Sequence, residues 1–399
     1  VHKKIVVIGA SAASIGFIAK LRSFDVKTQI ICFSGEKSIP YNRCLLADFV
    51  SQEKDLIDLQ LKSEDFFKEN NVDLRLNSWV TSIDRENKTV TVNGNQESYD
   101  ALFIGIGTQP FIPNIPGLDL PGVFGFHTFA DVEKLNNFID EHRPKNAIVV
   151  GAGINGIEAV SSLVDRGVKV AVVDIHSYIM PLQVDQSTSH YIEKKLTDAQ
   201  VAMYKGHKVI ALETRNQQVV GRVKLEGGAC IPTDCVVLAT GSRVNGDLIK
   251  QAGLKMLQGS IVVNESMQTS DSSIYAGGDV CIAQDIISKE MVRSMTWSDA
   301  MLQGLTAATQ FSDKPRLYPG IVGMRDSKFF DCDFYACGQT IETDIFDIIE
   351  NHKKGYFHRF YLSQGVLKGF VLVGNVENLA KYRTFYLTQQ EVAKADFQE

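Results

Sequence analysis

Two stretches of this chain repeat one pattern, and that repeat limits the folds open to it. The first is KKIVVIGASAASIGFIAKLRSFDVKTQIICFSGE, residues 3–36; the second is NAIVVGAGINGIEAVSSLVDRGVKVAVVD, residues 146–174. Each opens on a short β-branched run, the mark of a strand buried on both faces. A glycine turn, a helical stretch and another apolar run follow, and Gly167 marks the end of the second helix. Two such units predict an α/β protein with two nucleotide-binding folds, each a parallel sheet with right-handed crossovers.

The second turn is the more specific. Gly151, Gly153 and Gly156 form an unbroken GxGxxG directly after a strand. Gly151 permits the tight turn, Gly153 lets a diphosphate approach the backbone, and Gly156 lets helix and strand pack closely. The helix N-terminus then offers free N–H groups and a positive dipole end. Asp174, ending the next strand, is placed to accept hydrogen bonds from a ribose diol and to repel a 2′-phosphate. No Arg follows it in DIHSYIM, so NADH is expected over NADPH, with His176 the residue able to soften that preference.

The first turn is degenerate. It reads Gly9-Ala10-Ser11-Ala12-Ala13-Ser14, with Ser at the second and third glycine positions. Serine adds volume where phosphates approach, yet its hydroxyl can donate to a phosphate oxygen. Glu36, just past the second strand, is the candidate for the ribose.

Between the two units, residues 73–106 read as short strands joined by polar turns, with Asn93-Gly94 a hairpin signal. RNQQVVGRVKLEGGACIPTDCVVLATG repeats that rhythm. Beyond about residue 317, KFFDCDFYACG and YFHRFYLSQGVLKGFVLVG suggest a small appendage with an antiparallel sheet. His2-Lys3-Lys4, an apolar run and Ala10-Ser11-Ala12 imitate a secretory signal; a strand Ile5–Ile8 turning at Gly9 is the reading adopted.

A net charge of −6 argues against general affinity for nucleic acid or an anionic membrane. The seven cysteines, at 32, 44, 230, 235, 281, 332 and 337, contain no CxxC pair. A disulfide framework and a thiolate zinc site are therefore not expected, no metal is assigned, and a cytoplasmic location follows. Core packing is the default for Cys230, Cys235, Cys332 and Cys337.

The order of motifs resembles the FAD-dependent pyridine nucleotide–disulfide oxidoreductase superfamily along essentially the whole chain. Within it the chain looks like NADH:rubredoxin oxidoreductases and the flavin module of nitrite reductases, with single-Cys CoA-disulfide reductases and NADH oxidases nearby. FIGIGTQPFIPNIPG, residues 103–117, is similar to the linker between the flavin and nicotinamide domains, with Ile106-Gly107 where Thr-Gly is usual. LATGSRVN, 238–245, matches the return crossing and contains Gly241. SIYAGGDV, 273–280, matches the second flavin fingerprint, with Gly278 and with Asp279 on the ribityl chain; TWSDAMLQGLTAA resembles the helix that follows, opening at Trp297. IPYNRCLLADF places Arg43 at the FAD diphosphate, and Val80 is counted with the cofactor contacts.

That resemblance implies two Rossmann-like domains of three-layer ββα type plus a small C-terminal α+β domain. Residues 1–115 and 243–315 would bind FAD, 116–242 NAD(H), and 316–399 would form an interface domain that makes a homodimer possible. The implied activity takes hydride from NADH onto FAD and passes electrons to a small carrier such as rubredoxin. Glu158 matches a family Glu near the nicotinamide. The CxxxxC pair that disulfide-bearing members carry early in the first domain is missing there, but Cys44 stands where single-thiol members carry theirs, with Arg43 beside it. The alternatives are therefore a Cys44-dependent CoA-disulfide or persulfide reductase or NADH oxidase, and a catalytically silent nucleotide-binding scaffold.

Overall fold

Both β-branched openings become central strands of all-parallel sheets. The computed structural model describes residues 4–215, 219–353 and 355–397. His2 and Lys3 of the signal-like start, and residues 216–218 of the second β-rich stretch, lie outside the described residues. The chain divides into two units: Val1–Asn42, Leu56–Gln109 and Ser242–Gly323 form one, and Arg43–Asp55, Pro110–Gly241 and Met324–Glu399 the other.

In the first unit the strands lie in the order Ile274–Ala276, Ala101–Ile104, Lys4–Ile8, Gln29–Phe33, Val72–Arg75. Every neighbouring pair is parallel. Val6, Val7 and Phe103 are fully buried, as strands covered on both faces require. The helix Ala12–Arg22 packs on the helix Trp297–Thr309 at a separation only glycine allows. A Cβ on Gly304 would stand 1.9 Å from the Ala13 carbonyl oxygen, and one on Gly16 2.8 Å from that of Met301. The expected hairpin forms, with Asn93 and Gly94 at φ 49° and 83° between the strands Thr89–Val92 and Asn95–Ser98. Two consecutive positive φ values match the strand twist.

The second unit builds the same kind of sheet in the order Ala202–Lys205, Lys169–Asp174, Asn146–Val150, Cys235–Leu238, Val123–Gly125. All its pairs are parallel. To it belongs the expected C-terminal appendage, a five-stranded antiparallel sheet over Arg325–Val373 followed by the helix Leu379–Thr388. Polar contacts join this sheet to the nucleotide fold of the same unit. Ser327 donates to Glu158 at 2.7 Å, the Phe330 N–H donates to Ser161 Oγ at 2.8 Å, and Arg359 Nε donates to the buried Asp185 at 2.6 Å.

All seven cysteines are free thiols. Cys235, Cys332 and Cys337 are core residues, whereas Cys230 is exposed in its edge strand Cys230–Pro232, so the core expectation fails there. Among the described residues no helix is long and apolar enough to cross a membrane.

Candidate functional site

Each unit carries its glycine turn at the carboxyl end of its central strand, where open α/β sheets bind ligands. Gly151 has φ 106°, and a Cβ there would stand 2.3 Å from the Ala239 carbonyl oxygen. Gly9 repeats this, with φ 90° and Gly105 as the opposing residue at 2.4 Å. The hydrogen bonds repeat as well. Gly151 N–H donates to Val173 O and Gly9 N–H to Phe33 O, both at 2.8 Å; Ala239 N–H donates to Val150 O and Gly105 N–H to Ile8 O, again at 2.8 Å.

The helices behind both turns are prepared for an anion. Their N-cap residues, Ser11 and Gly153, are extended and make no side-chain capping bond, and neither first turn contains an acid. The orphan N–H groups and the positive dipole end are therefore left to an external acceptor. A Cβ at Gly153 would meet nothing within 4 Å, so the approach to that helix is open. By contrast, the helix Phe129–His142 closes its own N-terminus with a Thr128–Asp131 capping box. The residues at both turns fit a dinucleotide diphosphate.

The third glycine position separates the two turns. A Cβ on Gly156 would stand 2.0 Å from the Gly151 carbonyl oxygen, so glycine is required there. At the first turn that position is Ser14, fully buried, with a hydroxyl that has no hydrogen-bond partner among the described residues. Space for it comes from Gly105, because a Cβ on Gly105 would lie 2.3 Å from Ser14 Oγ. The Gly9 carbonyl receives the Cys32 thiol at 3.6 Å. Gly105 sits two residues before Gly107 in the linker motif, and sequence reasoning passed over it. The available signal was a third glycine at the end of the strand beside a degenerate turn.

The segment SIYAGGDV, residues 273–280, comes to the same place in the first unit. Gly277 N–H donates to Ile104 O at 3.1 Å, and a Cβ on Gly278 would be 3.3 Å from Ala13 Cβ. Gly9, Ser11, Ser14, Gly107, Gly278 and Asp279 thus gather at one end of one sheet, and Trp297 opens the helix packed there. Glu36 accepts a hydrogen bond from Tyr41 Oη at 2.7 Å. Val80 opens the strand Val80–Asp84 next to Trp79, whose ring covers Gly35 closely enough that a Cβ there would be 2.6 Å away.

Arg43 and Cys44 group with the second unit. Arg43 Nη1 donates to His127 O at 2.7 Å. Cys44 is exposed in the 3-10 turn Arg43–Leu45 that leads into the short helix Leu46–Ser51, so it is not a thiol packed beneath that helix. Asp174 Oδ2 accepts the Ala152 N–H at 2.6 Å, while Oδ1 accepts the His176 N–H at 2.8 Å and lies 2.7 Å from its Nδ1. The acid is thereby tied to its own glycine turn. Gly241 has φ 95°, and its carbonyl accepts the Phe111 N–H at 2.8 Å where the chain crosses back.

Glu158 projects from the helix Ile154–Asp165 onto Ser327 of the C-terminal sheet. Burial pushes its carboxyl up to about 7; the Ser327 hydroxyl opposes the shift, and Asp48 and Asp326 add to it. Burial also raises Asp48 and Asp326. Ser327 and Asp326 carry no motif, and Asp48 lies in IPYNRCLLADF without having been singled out there.

The family model for pyridine nucleotide-disulphide oxidoreductases matches residues 3–304. The chain belongs to that family. It is 32% identical over 349 residues to an NADH oxidase of Methanocaldococcus jannaschii, covering 84% of this chain and 76% of that protein. It is 27% identical over 398 residues to the assimilatory nitrate reductase electron transfer subunit of Bacillus subtilis, covering 98% of this chain but 50% of that protein. The chain therefore spans half the length of that relative. The crystal structure of reduced Bacillus anthracis CoADR-RHD superimposes with a TM-score of 0.89 at 26% identity, over 97% of this chain and 74% of that one. The protein is an NAD(P)H-dependent flavoprotein oxidoreductase, with FAD and NAD(P)H as cofactors.

Proposed function

We propose that this oxidoreductase takes hydride from NADH and delivers electrons one at a time to a small electron-carrier protein of the rubredoxin class. The observation that carries the reading is the alignment of 98% of this chain with half of an electron transfer subunit, in a chain that has no CxxxxC pair within residues 1–115. When bound, FAD supplies the conversion of a two-electron hydride into single-electron steps.

The chain's own residues bind and orient. Gly9 and Ser11 present the first turn to the FAD diphosphate, Ser14 shapes it, and Arg43 adds a guanidinium. Glu36 takes the ribose, Asp279 the ribityl chain, and Val80, Gly107, Gly278 and Trp297 line the cofactor. Gly151, Gly153 and Gly156 hold the NADH diphosphate, and Gly241 shapes the return crossing. Asp174 accepts from the adenosine ribose diol and repels a 2′-phosphate. Glu158, held by Ser327 and with an affinity for protons balanced near neutrality, holds a proton beside the nicotinamide. In the same reading residues 1–115 and 243–315 bind FAD, 116–242 bind NADH, and 316–399 form the interface of a homodimer.

A second reading rests on the exposed Cys44 and on the likeness to an NADH oxidase and to CoADR-RHD. In it the Cys44 thiolate attacks a CoA disulfide or persulfide, releasing one thiol or sulfide and forming a mixed disulfide that the two electrons of NADH, passed through bound FAD, would cleave, or O2 is the acceptor. An acceptor screen with NADH, anaerobic for carriers and disulfides and with O2 supplied in a separate arm, distinguishes the two. The first expects fast reduction of iron-protein carriers, unchanged by Cys44→Ser. Turnover confined to disulfides and abolished by Cys44→Ser would replace it, and turnover confined to O2 would make the protein an oxidase.

A further inference from the structure

A buried relay in the first unit ends on the turn that carries Asp279. Asp299, at the third position of the helix Trp297–Thr309, is only 4% exposed. Its carboxylate accepts from Ser294 Oγ at 2.6 Å, Thr296 Oγ1 at 2.8 Å, Tyr318 Oη at 3.1 Å and the Gly323 N–H at 3.2 Å. Hydroxyls and N–H groups, with no ion pair among the described residues, hold this charge. The Tyr318 hydroxyl has one proton, and the carboxylate claims it. Burial, then Asp299, pushes the phenol up, so that proton stays in place.

The phenol oxygen can then only accept, and Gln303 Nε2 donates to it at 3.4 Å. Gln303, 1% exposed, is thereby oriented. Its carbonyl end faces the opposite way and accepts the Gly278 N–H at 2.7 Å. A flipped amide would set its NH2 against the Gly278 N–H and its oxygen against a hydroxyl whose proton is committed, two mismatches in a buried site. Gly278 has φ 82° and precedes Asp279 directly, so the held N–H fixes where Asp279 is presented.

We infer that Gln303, oriented by Asp299 through Tyr318, is a positioning residue that sets the Gly278–Asp279 turn and thereby the affinity for FAD. The inference rests on the reading of Asp279 as a flavin ligand. Gln303 lies in the segment TWSDAMLQGLTAA, of which the sequence reading singled out Trp297, and its effect on FAD runs through the Gly278–Asp279 turn.

The test follows FAD release from the full-length holoprotein on dilution, by the gain of flavin fluorescence, together with the visible circular dichroism of the bound flavin. Gln303→Met keeps the volume and removes both polar ends. It should weaken FAD binding about tenfold and alter the dichroism. Gln303→Glu, protonated in this site, still offers a carbonyl to Gly278 and a proton to Tyr318, and should return affinity to within about threefold of the parent. Tyr318→Phe should weaken binding about threefold and add nothing to Gln303→Met, since the two act as one chain.

Parent-like affinity in Gln303→Met, or equal loss in the Met and Glu variants, overturns the inference. Should Gln303→Met fail to fold, Tyr318→Phe carries the test, and unchanged affinity there overturns it. Asp279→Ala separates the two levels. If it leaves FAD affinity intact, the flavin reading of this turn fails and the inference falls with it. If it weakens FAD while Gln303→Met and Tyr318→Phe do not, the inference alone fails.

Discussion

The first and second glycine turns share their strand, their tight turn and their hydrogen bonds, yet they solve one packing problem in opposite ways. At the second turn the helix residue is the small one: Gly156 abuts the Gly151 carbonyl, and Ala239 stands opposite. At the first the small residue is on the neighbouring strand, where Gly105 makes room for Ser14. A broken fingerprint is therefore no proof of a broken site; the missing glycine has moved to the facing strand. The helices diverge one step further on. Gly16 in the first buries its face against the helix Trp297–Thr309, while the corresponding Glu158 in the second meets a hydroxyl on a β-strand.

The sharpest break in this comparison is Gly156→Ala. Its methyl collides with backbone that cannot move aside, so we expect a cost of about 3 kcal/mol and loss of NADH binding. Denaturant unfolding and NADH titration measure both. Adding Ala239→Gly should not rescue it, because the obstacle is the Gly151 carbonyl rather than Ala239.

Glu158 comes next. Its carboxyl titrates near 7 when folded and near the ordinary glutamate value when unfolded, so the folded state binds the proton more tightly. That contribution is fully present below about pH 4.5 and is lost as the pH rises through 7, by up to about 3 kcal/mol. Glu158→Gln should remove this slope from the unfolding free energy, and Ser327→Ala should shift its upper end to higher pH. A parent profile indistinguishable from that of Glu158→Gln would show an ordinary surface carboxylate.

Gly105→Ala should cost about 1 kcal/mol, less than Gly156→Ala because the Ser14 hydroxyl can rotate partly away. Pairing it with Ser14→Gly installs the second turn's arrangement in the first and should recover most of the loss. Failure of the pair to recover stability would mean that the two positions do not compensate.

The smallest difference separates the two acids. Asp174 is bonded to its turn through Ala152, whereas Glu36 is held by Tyr41. Asp174→Asn should raise KM for NADH roughly tenfold and narrow the gap to NADPH; Glu36→Gln should weaken FAD only about threefold. Equal kcat/KM for NADH and NADPH in the parent would remove the role given to Asp174.

Much of this architecture was legible because its signals are local. β-branched runs, a GxGxxG spacing and Asn93-Gly94 each describe a few consecutive residues whose backbone geometry depends on little else. They announced both parallel sheets, both turns and the hairpin; the family came from the resemblance of longer segments such as SIYAGGDV and FIGIGTQPFIPNIPG. Exposure of Cys230 and Cys44 was not legible, since a short thiol in a strand or turn reads the same at an edge as in a core.

The chain alone therefore determined where the two glycine turns fall and which acid lies at or just past each unit's second strand, because turn geometry is written in neighbours one to five residues apart. Only the tertiary structure decided that Gly105 makes room for Ser14, that Ser327 meets Glu158, and that Asp299 orients Gln303. Those outcomes depend on which distant segment packs against a residue, and steric room, desolvation and proton ordering exist only once that partner is in place.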